Sequence, residues 1–343
     1  LGNTAIFPAL TKGGTLHVID YACSTNGVAF REYLNSNRID VLKIVPSHYQ
    51  ALRAALPEDQ SILPLVALVF GGELLTAQLA LQCQSEIQKT HNACRVFNHY
   101  GPTETTIGAF TLDVELAQKQ GLELLNHASV PIGSALGYGH SFVADALGNI
   151  VPTGCAGELY IGGPGVSPGY LGDDEITQIN NQRSFIERSD LLTQSLRFYR
   201  TGDLVRALNC GGLEFLGRTD EQVKLRGFRI ELNAIRHTLA EHTDVSSVFV
   251  MVIDQQITAF CVSADNTQKD IIKTELQDHA NQHLPHYMVP SHWVFIDRLP
   301  LTDNGKPDRK KLLHLAVKNT QQIEVEPAIT DTEKSLVDIW QNL

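Results

Sequence analysis

Between Phe7 and about Glu104, short apolar runs at Thr15 to Ile19, Val41 to Val45, Leu65 to Phe70 and Arg95 to Asn98 alternate with longer amphipathic stretches such as Gln78 to Lys89. That alternation of strand-length and helix-length segments predicts an α/β sheet with crossover helices. Beyond Val130 the texture changes. Turn-forming groups at Gly148-Asn149, Pro152-Thr153-Gly154 and Gly162-Gly163-Pro164-Gly165 punctuate short runs such as Glu158 to Ile161, which predicts an antiparallel β region. After Asp220 the pattern restarts. Helices are predicted over Asn233 to Glu241 and Gln268 to His283, with strands at Val245 to Ile253, Thr258 to Ser263 and His292 to Phe295, making a smaller α+β unit. Lys318 to Thr330 is polar, contains Pro327 and reads as a linker.

A chain of 343 residues exceeds one ordinary core and fits two domains with part of a third. The longest apolar stretch, Leu63 to Phe70, is too short to span a bilayer, so no membrane segment is expected. The net charge of −11 argues against nonspecific nucleic-acid binding, which needs clustered Lys and Arg. Cys23, Cys83, Cys94, Cys155, Cys210 and Cys261 lack the paired spacing of zinc or redox motifs and read as reduced thiols in a cytoplasm. The start at Leu1, without initiator methionine or leader, and the amphipathic stretch Glu333 to Trp340 read as the cut ends of a fragment.

Four polar segments suit nucleotide phosphates: Asn98 to Glu104, Arg200-Thr201-Gly202-Asp203, Gly217 to Gly227, and Asn304-Gly305-Lys306. Each combines glycine, which lets the backbone approach a ligand, with a carboxylate, hydroxyl or cation. Tyr100 offers a face for stacking, Thr103 a donor to phosphate and Glu104 a ligand for Mg²⁺, at the carboxyl end of a strand where open α/β sheets bind ligands. Asp203 suits vicinal ribose hydroxyls, and the planar fork of Arg218 suits ribose or phosphate. Taken singly, each also has an ordinary reading as a turn residue or a solvated surface charge. Their co-occurrence favours a site.

These segments, with Gly157 to Gly163 and Gly169-Tyr170-Leu171, resemble the core motifs of adenylation domains of nonribosomal peptide synthetases from Leu1 to about Leu313. Gln222 to Glu231 and the string Leu299 to Arg309 resemble the peptide-synthetase branch more than acyl- or aryl-CoA ligases of the same adenylate-forming fold. The resemblance implies that residues 1–219 are the C-terminal part of a truncated large subdomain, α/β with a β-barrel-like region, and 220–317 a mobile α+β small subdomain. Residues 318–330 would be the linker and 331–343 the start of a carrier-protein domain. It implies ATP and Mg²⁺ as cofactors, Gly71, Gly72, Glu73 and Tyr100 at the adenine, Thr103 at phosphate, Glu104 on the metal, and Asp203 with Arg218 at the ribose. Lys306 would be the catalytic lysine and Asp220 a hinge, with Lys224 and Gly227 facing the site during thioester formation. Partners would be an amino acid, the phosphopantetheine of an adjacent carrier domain in cis, and neighbouring synthetase domains. The glycine-rich phosphate loop and the aspartate that grips the substrate ammonium would lie upstream, so the fragment is expected to be inactive alone. A nucleotide-binding module without turnover is the non-enzymatic alternative.

Lys43 lies inside the apolar run Val41 to Val45, where an ammonium is costly unless it meets water or an anion. An edge-strand lysine that guards against aggregation is the plain reading. By the same resemblance, the substrate pocket falls on Leu1, Thr4, Lys43, Val69, Gly71, His99, Ile107, Gly108 and Lys306, a set similar to aspartate-activating domains. Lys43 and His99 would then bracket a side-chain carboxylate.

Overall fold

Three parallel strands, β1 (Val41–Ile44), β2 (Ala67–Gly71) and β3 (Arg95–Tyr100), are extended by antiparallel β4 (Phe110–Asp113) and β5 (Ser134–Ala135) into a sheet of order β1-β2-β3-β4-β5. The computed structural model describes residues 2–90, 93–127, 129–189, 195–263, 269–302, 307–321 and 330–341. Two units are distinguished, Leu1–Ile230 and Glu231–Leu343.

In the larger unit α1 (Asn3–Thr11), α2 (Tyr21–Thr25) and α3 (Gly27–Ser36) precede β1, α4 (Pro46–Ala54) and α5 (Ala77–Thr90) are the crossovers from β1 to β2 and from β2 to β3, and α6 (Val114–Lys119) lies between β4 and β5. Asp20, Asn26 and Asp113 each accept a hydrogen bond from the backbone N–H three residues on, which starts α2, α3 and α6. Tyr49 and Leu52 of α4, Leu79 and Cys83 of α5, and Leu68 and Phe70 of β2 share one core. Each large side chain removed from water there contributes roughly 1.5–3 kcal/mol. Val18, by contrast, is 83% exposed, and Thr15 to Ile19 is not a strand; an apolar run without a paired neighbour has no ladder to join.

The second sheet is built from β6 (His140–Ala144), β7 (Ala156–Gly162), β9 (Leu196–Ala207) and β10 (Leu213–Arg218), in the order β10-β9-β7-β6. β8 (Phe185–Arg188), which follows α7 (Glu175–Ser184), pairs with β9. Among the described residues this sheet is open, not the barrel-like closure expected, because β10 and β6 remain its two ends. Asn98 donates to the carbonyls of Val130 and Pro131 at 2.9 and 3.0 Å, tying β3 to the start of the β-rich region. A core of Tyr100, Phe110, Ile132, Val143, Leu159, Ile161, Val205 and Leu213 then brings the end of β3 against β9. That junction positions the candidate site. A hairpin of β11 (Gln222–Leu225) and β12 (Phe228–Glu231) follows, turning through left-handed Arg226 and Gly227.

The smaller unit carries α8 (Leu232–Ala240), antiparallel β13 (Val245–Ile253) and β14 (Gln256–Ser263), α9 (Lys269–His283), β15 (His292–Phe295) parallel to β14, α10 (Arg309–Gln321) and α11 (Asp331–Gln341). Phe249, Phe260, Val294, Ile296, Leu312 and Ala316 form its core. Residues 318–321, expected in a linker, continue α10, since the polar sequence there still has good helix formers such as Lys318 and Gln321. No helix is long and apolar enough to cross a membrane among the described residues.

Candidate functional site

Asp203 lies within β9 and not in the turn its Thr-Gly-Asp context suggests. Gly202 takes a left-handed φ of 70°, and the register of β7 against β9 shifts between Glu158 and Tyr160. The irregularity turns Asp203 into the core, where it is 1% exposed. Its carboxylate accepts from the Tyr100 hydroxyl and, at 2.5 Å, from Nη1 of its cross-strand neighbour Arg218. Arg218 also grips Asp220 with two bonds of 2.6 Å. Burial opposes the charge on Arg218, but the hydrogen bond to Asp220 and the charges of Asp203 and Asp220 outweigh it and raise its pKa above the usual arginine range. A Cβ on Gly202 would stand 2.6 Å from Arg218 Nη2 and 2.9 Å from Asp220 Oδ2, so only glycine leaves room for this cluster.

Glu104 sits in a short 3₁₀ turn after β3, buried, while Thr103 beside it is exposed. Arg229 Nη1 donates to one Glu104 oxygen at 2.6 Å and the Tyr170 hydroxyl to the other at 2.8 Å. Burial raises the proton affinity of Glu104, but the Arg229 charge and the Tyr170 bond outweigh it and hold its carboxyl below the ordinary range. A buried carboxylate is a donor that fits Mg²⁺, which commonly takes one or two carboxylates alongside phosphate oxygens and water. The β11–β12 hairpin supplies two further contacts. Lys224 Nζ lies 4.9 Å from the centre of the Tyr100 ring, and Gly227 N–H donates to Glu73 at 2.7 Å. Burial lowers the pKa of Lys224, with Arg218 and Arg229 adding to the shift against Asp203. Glu73 accepts as well from Ser47 N–H and hydroxyl, at 3.0 and 2.9 Å, so its carboxylate is held by protein groups.

A second cluster rises from one face of the first sheet. Lys43 is in register with Val69, and Gly71 with His99. Because Gly71 has no side chain, Lys43 on β1 reaches over β2 to His99 on β3, with Nζ 2.8 Å from Nδ1. A Cβ on Gly71 would come within 3.5 Å of Lys43 Cε and 2.7 Å of the His99 carbonyl. On the other side of the imidazole, a Cβ on Gly108 would stand 2.4 Å from His99 Nε2. Burial lowers Lys43 to about 8, and burial with the Lys43 charge lowers His99 to about 4. At neutral pH the imidazole is therefore uncharged and accepts from the ammonium. Among the described residues no carboxylate pairs with Lys43. Beside them, Thr106 and Ile107 hold φ of 63° and 69°, a left-handed pair unusual for β-branched side chains.

The fold thus groups Tyr100, Asp203, Arg218, Asp220 and Lys224, and separately Lys43, Val69, Gly71, His99 and Gly108. Gly72 follows directly, at the end of β2 with φ 85°. Thr4 is half-buried on α1. Leu1 and Lys306 lie outside the described residues. Arg229, Tyr170 and Ser47 escaped the sequence reading. For the first two a signal existed, since both stand inside the motif strings; Ser47 carried none.

The description "AMP-binding enzyme" matches residues 1–171, and "AMP-binding enzyme C-terminal domain" matches 235–306. The chain is similar to surfactin synthase subunit 1 of Bacillus subtilis (strain 168), 37% identical over 98% of this chain and 9% of that protein. It is also similar to tyrocidine synthase 1 of Brevibacillus parabrevis, 34% identical over 98% of this chain and 29% of that one. It spans less than a third of either relative. Among solved structures it is similar to the Vibrio cholerae adenylation domain AlmE in complex with glycyl-adenosine-5'-phosphate, at 27% identity and a TM-score of 0.73 over 91% of this chain and 56% of that one. PA1221, a nonribosomal peptide synthetase protein containing adenylation and carrier domains, is similar at 25% identity and a TM-score of 0.69, over 88% of this chain and 48% of that one.

Proposed function

The chain belongs to the AMP-binding enzyme family, and from that premise we propose that it activates aspartate as aspartyl adenylate with ATP and Mg²⁺, within a nonribosomal peptide synthetase. The aminoacyl group then passes to the phosphopantetheine thiol of a carrier domain in cis. The Lys43–His99 pair carries the substrate reading, because a half-buried ammonium whose one partner among the described residues is a neutral imidazole calls for an anion.

In the first step a substrate carboxylate oxygen attacks the α-phosphorus of ATP and pyrophosphate leaves. Asp203 keeps lone pairs beyond those taken by Tyr100 and Arg218, and these accept the ribose hydroxyls. Glu104, now paired with Arg229, is the residue that would hold Mg²⁺, which would offset charge on the phosphates. Lys306 stabilises the charge that develops as acid and nucleotide meet. Asp220 is the hinge for the second step, in which Lys224 and Gly227 face the site; their contacts with Tyr100 and Glu73 support this assignment. Lys306→Ala is expected to slow adenylate formation about 100-fold with little change in ATP affinity, measured by single-turnover kinetics against nucleotide titration.

Amino-acid-dependent ATP–pyrophosphate exchange on the complete synthetase tests the assignment. Aspartate should give the strongest exchange and asparagine little. Glutamate should trail by about 1–3 kcal/mol, the usual worth of one methylene in a pocket. Exchange driven best by an apolar amino acid would remove aspartate, and CoA-dependent consumption of an aryl or fatty acid would favour the ligase alternative. Since Lys43 is lowered to about 8, and its charged form is the one that binds the anion, kcat/KM for aspartate should fall as pH rises through about 8. An amino acid without a side-chain charge should not show that limb.

A further inference from the structure

In the smaller unit, His242, Asp244 and Glu275 each offer one ligand atom, all within 4.8 Å of one another. His242 and Asp244 stand in the turn between α8 and β13, and Glu275 comes across from α9. The His242 side chain is 16% exposed, which fixes the imidazole, while Glu275 is exposed and has torsions to spare. Two carboxylates this close repel unless a cation lies between them. Among the described residues no lysine or arginine pairs with either. The Asp244 carboxylate is 3.8 Å from His242 Nδ1, beyond hydrogen-bond length, and even a protonated imidazole supplies one positive charge against two negative.

We propose that His242, Asp244 and Glu275 form a binding site for a divalent transition-metal cation, of the Zn²⁺ or Co²⁺ type, that clamps the α8–β13 turn to α9. A nitrogen with two carboxylate oxygens suits these ions better than Mg²⁺ or Ca²⁺, which favour oxygen alone. Donors about 2.1 Å from one ion stand at most about 4.2 Å apart, so a small rotation of Glu275 closes the set. The junction already has a weaker tie of the same kind. His279, on the Glu275 face of α9, donates Nε2–H to the Thr238 carbonyl of α8 at 3.0 Å, and its ring meets His242 edge-on at 5.6 Å. Three protein ligands leave the remaining positions to water.

Titration of the full chain with Co²⁺, followed by calorimetry and visible absorption, tests the site. The expected result is saturable one-to-one binding with a spectrum of nitrogen and oxygen ligation, and a thermal midpoint raised by the ion. Glu275→Gln and Asp244→Asn should each weaken binding at least about tenfold and abolish the midpoint shift, with metal-free unfolding no earlier than in the native chain. No saturable binding up to about 1 mM would overturn the proposal. So would a thiolate charge-transfer band, which would place the ion on an exposed thiol such as Cys155 or Cys210, or affinity that neither substitution alters.

Discussion

Lys43→Ala is expected to lower kcat/KM for aspartate about 10²–10³-fold while the affinity for ATP stays nearly constant. Truncating one partner of a buried, hydrogen-bonded charge pair costs roughly 2–5 kcal/mol, much of it from the charge left unpaired, and each 1.4 kcal/mol is about tenfold. The loss should be selective. Asparagine, which brings no anion, should lose far less, so the ratio between the two substrates collapses. The variant should also fold. Burial lowers Lys43 to about 8, so in the free protein the ammonium is a cost relieved by its removal, and thermal unfolding should occur no earlier than in the native chain. Exchange assays with both amino acids, beside nucleotide titration, separate the outcomes; an equal fall for every amino acid would dissociate Lys43 from side-chain recognition.

Asp203→Ala should behave in the opposite way, striking stability first. Asp203 and Arg218 have side chains only 2% and 10% exposed, and removing one member of a buried pair leaves the other uncompensated, at about 3–5 kcal/mol. The hydroxyl of Tyr100, a buried residue, loses this acceptor as well. Chemical denaturation should therefore show an earlier midpoint for the larger unit with little change in slope. Asp220 remains as a partner for Arg218 through two bonds, which bounds the damage. A midpoint within experimental scatter of the native chain would mean that Asp203 is not part of this framework.

The alternation that announces the first sheet is legible because strands buried by crossover helices carry their own apolar signature; β1, β2, β3 and α5 fall within a few residues of the expected bounds. Thr15 to Ile19 has the composition of a strand and none of its pairing, which no local pattern encodes. Lys43 draws notice in sequence since a cation interrupts an apolar run, but its reach to His99 depends on the bare backbone of Gly71 on the strand between them. Asp203 reads as a loop residue, whereas one left-handed glycine places it in mid-strand facing inward. Arg229 stands inside a motif string, yet its pairing is not legible there. Its partner Glu104 is 125 positions away, and only the hairpin's position brings the two together.

The left-handed pair Thr106–Ile107 has a bearing on attempts to reprogram the proposed substrate pocket. Each such residue stores of order 1–3 kcal/mol when it is not glycine or asparagine. Randomising position 107 would thus enrich glycine, asparagine and aspartate for the torsion they tolerate, before any ligand exerts selection. Altered selectivity at the proposed pocket is more readily sought from Val69, which lies in a regular strand where side-chain shape and charge can vary without backbone penalty.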